Sequence, residues 1–198
     1  MFDSLIVTPI ALQLNYYLMQ YVLSWSRIFS QLSEEKREET LARLNGILVN
    51  STIIIAWFFV NTPEDMIYMS RLFAGYLIYD IPYAKDFSMV FHHLFSIALH
   101  FYTKDMSGPD EIRQLCNIAA SLESSALFIS LSWLSSVANH RNVYLRTFTF
   151  VFWTIMRLGV FPYIVYGGDS QVFKIIFTPL AALNVYWFTV LVKHVRAT

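Results

Sequence analysis

Apolar stretches of membrane-spanning length dominate this sequence. About seven of them run over residues 5–26, 44–61, 66–83, 87–103, 112–134, 143–166 and 172–192. Each is close to the roughly 17 to 25 residues that cross a bilayer as a helix. Only 14% of the residues are charged, whereas a soluble domain averages about 25%. The sequence therefore predicts an all-α fold, a polytopic transmembrane helical bundle of about seven membrane helices.

Polar and turn-forming residues separate the apolar stretches. The join at residues 83–86 is so short that the third and fourth helices must be antiparallel neighbours. The longest polar break, residues 33–40, mixes both charge signs, and we expect it to extend a helix into solvent. The chain then divides into an N-terminal membrane helix with a polar connector, residues 1–42, and a transmembrane domain, residues 43–198. The first stretch lacks a basic n-region and an A-x-A site, which predicts a retained helix rather than a cleaved signal.

Charge is balanced overall but unevenly distributed along the chain. The zero net charge gives no basic footprint, so we predict no nucleic-acid partner. Cys116 is the sole cysteine, which excludes an internal disulfide. With the predicted helices, nine Lys and Arg residues lie on the side that holds the C-terminus and three lie on the other. The positive-inside rule then puts the C-terminus in the cytoplasm.

Costly polar side chains fall inside the apolar stretches, where they are expected to face the bundle interior and pair with one another. We predict an acid and histidine group near the cytoplasmic side and a more basic group deeper in the membrane. For both arginines of the deeper group we expect an ion pair with Asp80 or Glu123 that orders the bundle. The first group contains Asp80, His92, His93 and Glu123; the second contains Arg71, His100 and Arg157; Asn117, Ser121 and Asn184 are milder polar neighbours.

The adjacent pair His92-His93 is the strongest chemical candidate. Neighbouring residues on a helix point about 100° apart, so one histidine can face a common cavity while the other braces it. A carboxylate bonded to one ring nitrogen makes the other nitrogen a better base or nucleophile, which suits acyl transfer. Interhelical hydrogen bonding without chemistry is the structural alternative. No metal site is predicted, because adjacent histidines chelate one ion poorly and HxxxH or HExxH spacing is absent.

Five elements in order resemble the TLC-domain family of membrane proteins, which includes the ceramide synthases. They are Gly75 to Asp80 (GYLIYD), His92-His93, Leu122 to Ser125 (LESS), Arg157 and Leu183 to Phe188 (LNVYWF). The resemblance covers about residues 43 to 193. The residues 116–123 lack the aspartates that ceramide synthases carry after the histidine pair, so the resemblance is closer to the less characterised branch of the family.

The resemblance implies a helical bundle of the endoplasmic reticulum or a related endomembrane, with a six-helix core that holds an acyl chain. In the ceramide synthase branch it implies acyl transfer from acyl-CoA to a sphingoid amine. By that comparison His92 and His93 are the catalytic candidates, with Asp80 and Glu123 as supporting polar groups.

Residues and resemblance together predict a multi-pass membrane protein of lipid metabolism or membrane-lipid homeostasis. Its expected partner is a membrane lipid or fatty acyl chain; no bound cofactor is expected, and acyl-CoA is the candidate substrate. Whether the histidine pair transfers an acyl group stays open. The alternative is a non-catalytic regulator of membrane lipid composition or a transport receptor. A channel or transporter would need a continuous polar pathway, whereas the sequence offers two partial polar groups and no inverted repeat.

Overall fold

The computed structural model describes residues 3–59, 62–103, 108–138, 142–168 and 170–197. Throughout these ranges the chain forms helices and turns and no strand, which confirms the all-α prediction. The helices are α1 Asp3–Ser24, α2 Arg27–Ser30, α3 Glu34–Phe59, α4 Pro63–Asp80, α5 Phe87–Thr103, α6 Pro109–Val137, α7 Val143–Thr154, α8 Phe161–Gly167 and α9 Gln171–Ala197. A 3₁₀ turn, Ile81–Tyr83, follows α4, and a π-helical segment, Ile155–Val160, joins α7 to α8.

Three stretches of the described chain are long and apolar enough to cross a membrane. They are Asp110–Val137 in α6, Val143–Gly167 through α7 and α8, and Gln171–Lys193 in α9. Helix α5 is apolar but shorter. An integral membrane protein follows from these helices, while the full count of seven membrane helices stays a prediction. The predicted orientation stays a prediction too, and two of the residues that it uses, Lys104 and Arg141, lie outside the described residues.

Helix α1 has an apolar face turned away from the bundle. Large hydrophobic side chains along it remain mostly exposed, including Ile6, Ile10, Leu14 and Leu18. In contrast, its inner face carries Asn15, whose amide donates to Asn45 Oδ1 of α3 at 2.6 Å. The same inner face buries the apolar side chains of Leu12 and Tyr16, so α1 is apolar on both faces. Insertion of α1 into a membrane stays a prediction, because α1 is not among the three described stretches that are long and apolar enough to cross one.

The bundle packs helices that are neighbours in the chain and helices that are distant in it. Helices α4 and α5 pack against each other, which confirms the antiparallel neighbours that the short join predicts. Helix α1 packs mainly on α4, and α3 mainly on α6. The largest core cluster lies between α5, α6, α8 and α9 and includes Ile118, Phe161, Phe177 and Leu180. Side chains of α5 therefore contact side chains of α6 and α9, and space remains between the three helices.

Helix boundaries have local causes. The polar break at residues 33–40 is helical from Glu34 onward, as predicted, and α3 continues without interruption across residue 42. The side chain of Thr62 caps α4 by accepting from the backbone N–H of Asp65 at 3.2 Å. Asn142 caps α7 in the same way, by accepting from the N–H of Leu145 at 3.1 Å. The proposed division of the chain into residues 1–42 and 43–198 stays a prediction.

The π-helical segment lies directly before Pro162 and contains Arg157. Proline has no N–H to donate and its ring crowds the preceding turn, so a wider turn upstream relieves the backbone. Helix α9, by comparison, remains continuous through Pro179. The π segment thus sets the direction in which Arg157 leaves its helix.

Candidate functional site

A cavity opens between helices α3, α4, α5, α6 and α9. Its empty volume is about 900 Å³, a figure that includes its open mouth. Most of the wall is apolar, with side chains such as Met66, Phe73, Leu99, Leu122 and Phe177. The polar or weakly polar side chains in the wall are Ser70, His92, Ser96, His100, Cys116 and Glu123. An apolar cavity with a few polar groups is typical of a small-molecule or lipid site.

Two of these polar residues, His92 and Glu123, lie at the same end of the cavity. His92 packs against Trp187, the guanidinium of Arg157 lies 5.5 Å from the Trp187 ring, and Arg157 donates to the carbonyl of Leu122, the residue before Glu123. Glu123 is only 5% exposed. Its carboxyl group lines the cavity and interacts through space with the charge of Arg157. A carboxyl group is costly to bury in an otherwise apolar wall, so this end of the cavity is the candidate site.

His92 and His93 have different surroundings although they are adjacent. The ring of His92 lines the cavity and packs edge-on against the ring of Trp187, with centroids 5.5 Å apart. His93 does not line the cavity; its Nε2 lies 3.3 Å from Asp80 Oδ2. The two side chains are 6% and 3% exposed, and Nδ1 of each has no hydrogen-bond partner in the described chain. His92 is therefore placed to contact a ligand in the cavity, whereas His93 contacts Asp80 on α4.

Trp187 connects His92 to Arg157. Its indole Nε1 donates to Ser88 Oγ at 2.8 Å, which links α9 to the start of α5. The guanidinium of Arg157 lies 5.5 Å from the Trp187 ring and 5.7 Å from the Trp153 ring. These contacts are cation–π interactions, which gain strength away from water. The rings therefore hold a buried cation next to the polar end of the cavity.

Arg157 does not form the predicted buried ion pair with Asp80 or Glu123. It donates to Ser125 Oγ at 2.8 Å, to Asn184 Oδ1 at 3.1 Å and to the carbonyl of Leu122 at 3.3 Å. All three acceptors are neutral, and no ion pair within 4.0 Å joins Arg157 to Asp80 or Glu123 in the described chain. The charges of Arg157 and Glu123 still interact through space. Arg157 thus belongs with the His92 group rather than with a separate, deeper basic group.

The remaining predicted residues have varied positions. Arg71 is half-buried and makes no ion pair with Asp80 or Glu123 among the described residues. His100 lines the far part of the cavity, and its Nδ1 lies 2.5 Å from Ser70 Oγ. Ser121 is buried and donates to the carbonyl of Ile118 within α6. Asn184 is fully buried and Asn117 half-buried, and neither lines the cavity.

Sequence reasoning overlooked Ser96 and Trp187 as site residues. One signal for Ser96 is present in the sequence, because His92, Ser96 and His100 follow each other at intervals of four residues on α5. That interval puts side chains on one face of a helix, and all three line the cavity. The contact between Trp187 and His92 has no such local signal, because the two residues are distant in sequence.

An ion-pair group closes the loop end of the bundle, outside the apolar stretches. Lys85 Nζ lies 3.0 Å from Glu35 Oε1 and 2.7 Å from Glu39 Oε2, and Arg43 Nη2 lies 2.8 Å from Glu39 Oε1. Burial raises the pKa of Glu39, but hydrogen bonds from Lys85 and Arg43 outweigh burial and hold that pKa below its ordinary value. Hydrogen bonds to Glu39 and Glu35 raise the pKa of Lys85. The connector between α4 and α5 is thereby fastened to α3.

Metal coordination finds no support in the described residues, where no group of three or more His, Cys, Asp or Glu side chains could hold an ion. Comparisons with known protein families, with characterised proteins and with solved structures found no match.

Proposed function

We propose that this protein is a membrane protein of lipid metabolism or lipid homeostasis that binds one acyl or alkyl chain in its cavity. The observation that carries the proposal is that the buried carboxyl group of Glu123 and the ring of His92 both line one otherwise apolar cavity. The chain of the ligand occupies the apolar part, and its polar head meets Glu123 and His92.

The two parts of the cavity make complementary demands on a ligand. An apolar wall favours a hydrocarbon chain, because a void would leave the side chains lining it without contacts. The carboxyl group of Glu123 favours a donor, because burial without one costs about 1 to 3 kcal/mol. A single-chain amphiphile meets both demands, whereas water meets only the second.

The binding proposal is tested by filling the cavity. Ala119 lines it on α6, and Leu94 is exposed on α5 and does not line it. We expect Ala119→Trp to purify with less bound lipid than the wild type, and Leu94→Trp to keep the wild-type amount. Native mass spectrometry of the purified proteins measures both. Unchanged bound lipid in a folded Ala119→Trp variant would exclude the cavity as the lipid site.

Acyl transfer is a second candidate, favoured by His92 lying in the cavity beside Glu123. In this reaction a ring nitrogen of His92 attacks the thioester carbonyl of acyl-CoA, the C–S bond breaks, and the CoA thiolate leaves. An acceptor amine or hydroxyl group then attacks the acyl-imidazole and gives its proton to the released thiolate by way of solvent. Membership in the TLC-domain family and a location in the endoplasmic reticulum form part of this proposal.

Mass spectrometry also tests the transfer reaction. Wild type, His92→Ala and the double variant His92→Ala with His93→Ala are incubated with acyl-CoA, and acyl adducts and free CoA are measured. Adducts or turnover in the wild type, lost when His92 is replaced, support acyl transfer. Bound lipid that is equal in all three proteins, with no turnover in any, supports the non-catalytic regulator or transport receptor.

A further inference from the structure

We propose that Ser70 and His100 form a second reactive pair in the cavity, a serine nucleophile with a histidine base that hydrolyses an ester of an acyl chain. The inference rests on the proposed lipid binding, because the cavity has to hold the acyl chain of the ester, and it adds a reaction that does not use His92. Its basis is a direct contact between the two side chains in the cavity wall.

The contact between Ser70 and His100 joins helix α4 to helix α5. Ser70 Oγ lies 2.5 Å from His100 Nδ1, and both residues line the cavity. His100 is 9% exposed, and Ser70 is half-buried. When the ring proton of His100 is on Nε2, Nδ1 accepts the hydrogen bond from the Ser70 hydroxyl group. A hydroxyl group within hydrogen-bond reach of a base is the arrangement that activates a serine as a nucleophile.

The Ser70 hydroxyl group differs from most other hydroxyl groups on the helices. Many of these donate to a backbone carbonyl three or four residues earlier in their own helix, as do those of Thr52, Ser121, Ser124, Ser125, Thr149 and Thr178. Such a bond keeps the hydroxyl proton on the backbone of the same helix. Ser70 instead contacts an imidazole 30 residues away, on another helix. Its proton therefore meets a group that can take it up and return it.

The pair is separate from the polar group around His92. His100 follows His92 by eight residues, which is about 12 Å along a helix. The same two antiparallel helices make a second polar contact, between His93 and Asp80, nearer to the turn that connects them. Ser70 and His100 thus form a chemical group of their own on the cavity wall.

The surroundings of the pair define the class of substrate. On α4, the apolar side chains of Met66 and Phe73 line the cavity on either side of Ser70. On α5, Ser96 lines it one turn before His100 and supplies a hydroxyl donor. An acyl ester offers hydrocarbon to the apolar wall and a carbonyl group to Ser70. A donor in the wall can stabilise the negative charge that develops on the carbonyl oxygen.

The reaction balances with water as the only other reactant. Ser70 Oγ bonds to the carbonyl carbon while His100 Nδ1 takes the serine proton. The bond from that carbon to the alcohol oxygen breaks, and the alcohol leaves with the proton from His100. Water then attacks the acyl-serine and gives one proton to His100. The fatty acid leaves as Ser70 Oγ takes that proton back.

The experiment uses the purified protein in detergent micelles and two probes. An alkyl fluorophosphonate reacts with an activated serine, because the oxygen bonds to phosphorus and fluoride leaves. Intact-mass spectrometry follows this labelling, and peptide mass spectrometry locates it. The second probe is p-nitrophenyl octanoate, whose hydrolysis releases coloured p-nitrophenolate. We expect the label on Ser70 of the wild type, and we expect Ser70→Ala to lose both the label and the hydrolysis.

His100→Gln separates a reactive pair from a structural contact. Glutamine can accept a hydrogen bond from Ser70 but cannot take up its proton. The rates of labelling and hydrolysis should therefore fall about 100-fold or more, while the unfolding temperature stays close to that of the wild type. Ser136 is exposed on α6 and donates to the carbonyl of Trp133. Ser136→Ala is the matched control and should keep both wild-type rates.

The outcomes separate this reaction from lipid binding. A label on Ser70 that forms far more slowly in folded His100→Gln supports the inference. If Ser70 stays unlabelled, or if the wild type and His100→Gln react at equal rates, the inference is overturned. Bound lipid in native mass spectrometry of the same samples then leaves the proposed function in place. A wild type that neither binds lipid nor reacts at Ser70 overturns both.

Discussion

Two asparagines on helix α3 have opposite hydrogen-bonding surroundings. Asn45 is 0% exposed; it accepts from Asn15, and donates to the carbonyl of Leu12 at 3.1 Å and to Tyr79 Oη at 2.7 Å. Asn50, one and a half turns further along, is 2% exposed, and its Oδ1 has no partner in the described chain. The same residue type is thus satisfied where α1, α3 and α4 meet and unsatisfied further along the helix.

A similar contrast separates the polar groups around Asn45 from those of the candidate site. Around Asn45 the polar atoms form a closed network between helices, which is the arrangement of a structural contact. At the candidate site, Nδ1 of His92 and Nδ1 of His93 have no hydrogen-bond partner among the residues described. Buried polar groups normally have partners. The polar side chains around Asn45 therefore hold helices together. At the candidate site, by contrast, a ring nitrogen remains that can form a hydrogen bond to a ligand.

The largest expected effect comes from replacing the two asparagines. We expect Asn45→Leu to lower the free energy of unfolding by about 2 to 3 kcal/mol, because it leaves the groups that bonded to Asn45 without a partner. Asn50→Leu removes an unsatisfied acceptor and should change stability by less than about 1 kcal/mol, or increase it. Thermal unfolding of both variants in the same detergent measures the difference. Equal destabilisation would contradict the comparison.

The second effect separates the two histidines. His93→Phe keeps a ring but removes the partner of Asp80, and should cost about 1 to 2 kcal/mol of stability. His92→Phe keeps the packing against Trp187 and should be nearly neutral for unfolding, yet alter lipid binding or transfer. Unfolding and bound lipid are measured on both variants. A His92→Phe variant that loses stability as His93→Phe does would make both histidines structural.

The smallest effect concerns the ion pairs of Lys85. Lys85→Gln should cost less than about 1 kcal/mol at pH 7, because the pair is largely solvated. The folded pKa of Glu39 lies below its unfolded value, so its contribution is present above that unfolded value and is lost as pH falls through the folded pKa. The folded pKa of Lys85 is raised, so its contribution is present below the unfolded value and is lost as pH rises through the folded pKa.

Unfolding temperatures of wild type and Lys85→Gln, measured from pH 7 down to pH 3, test this dependence. The difference between the proteins should shrink as Glu39 is protonated. Lys36→Gln, at an exposed position on the same helix as Glu39, is the matched control and should show no such dependence. A difference that stays constant across the range would mean that Lys85 acts without Glu39.

Much of the helical order could be predicted from the sequence. The apolar stretch 87–103 coincides with α5, and the stretch 143–166 nearly coincides with the helix from Val143 to Gly167. The length of an apolar stretch and the turn residues that bound it are local properties, so the sequence alone is enough to predict the helices. The expected pairing of Arg157 with Asp80 or Glu123 was wrong, because Ser125, Asn184 and the carbonyl of Leu122 take its hydrogen bonds.

The sequence by itself determined an all-helical chain with apolar helices that contain costly polar residues. Only the tertiary structure decided which of these polar residues have partners. Asn15 meets Asn45 across 30 residues, and Trp187 meets Ser88 across 99. Hydrogen bonds between helices depend on the side chains that packing brings together, and no local pattern specifies them. For this reason the sequence could name His92 and Glu123, while only the packed bundle put both at the end of one cavity.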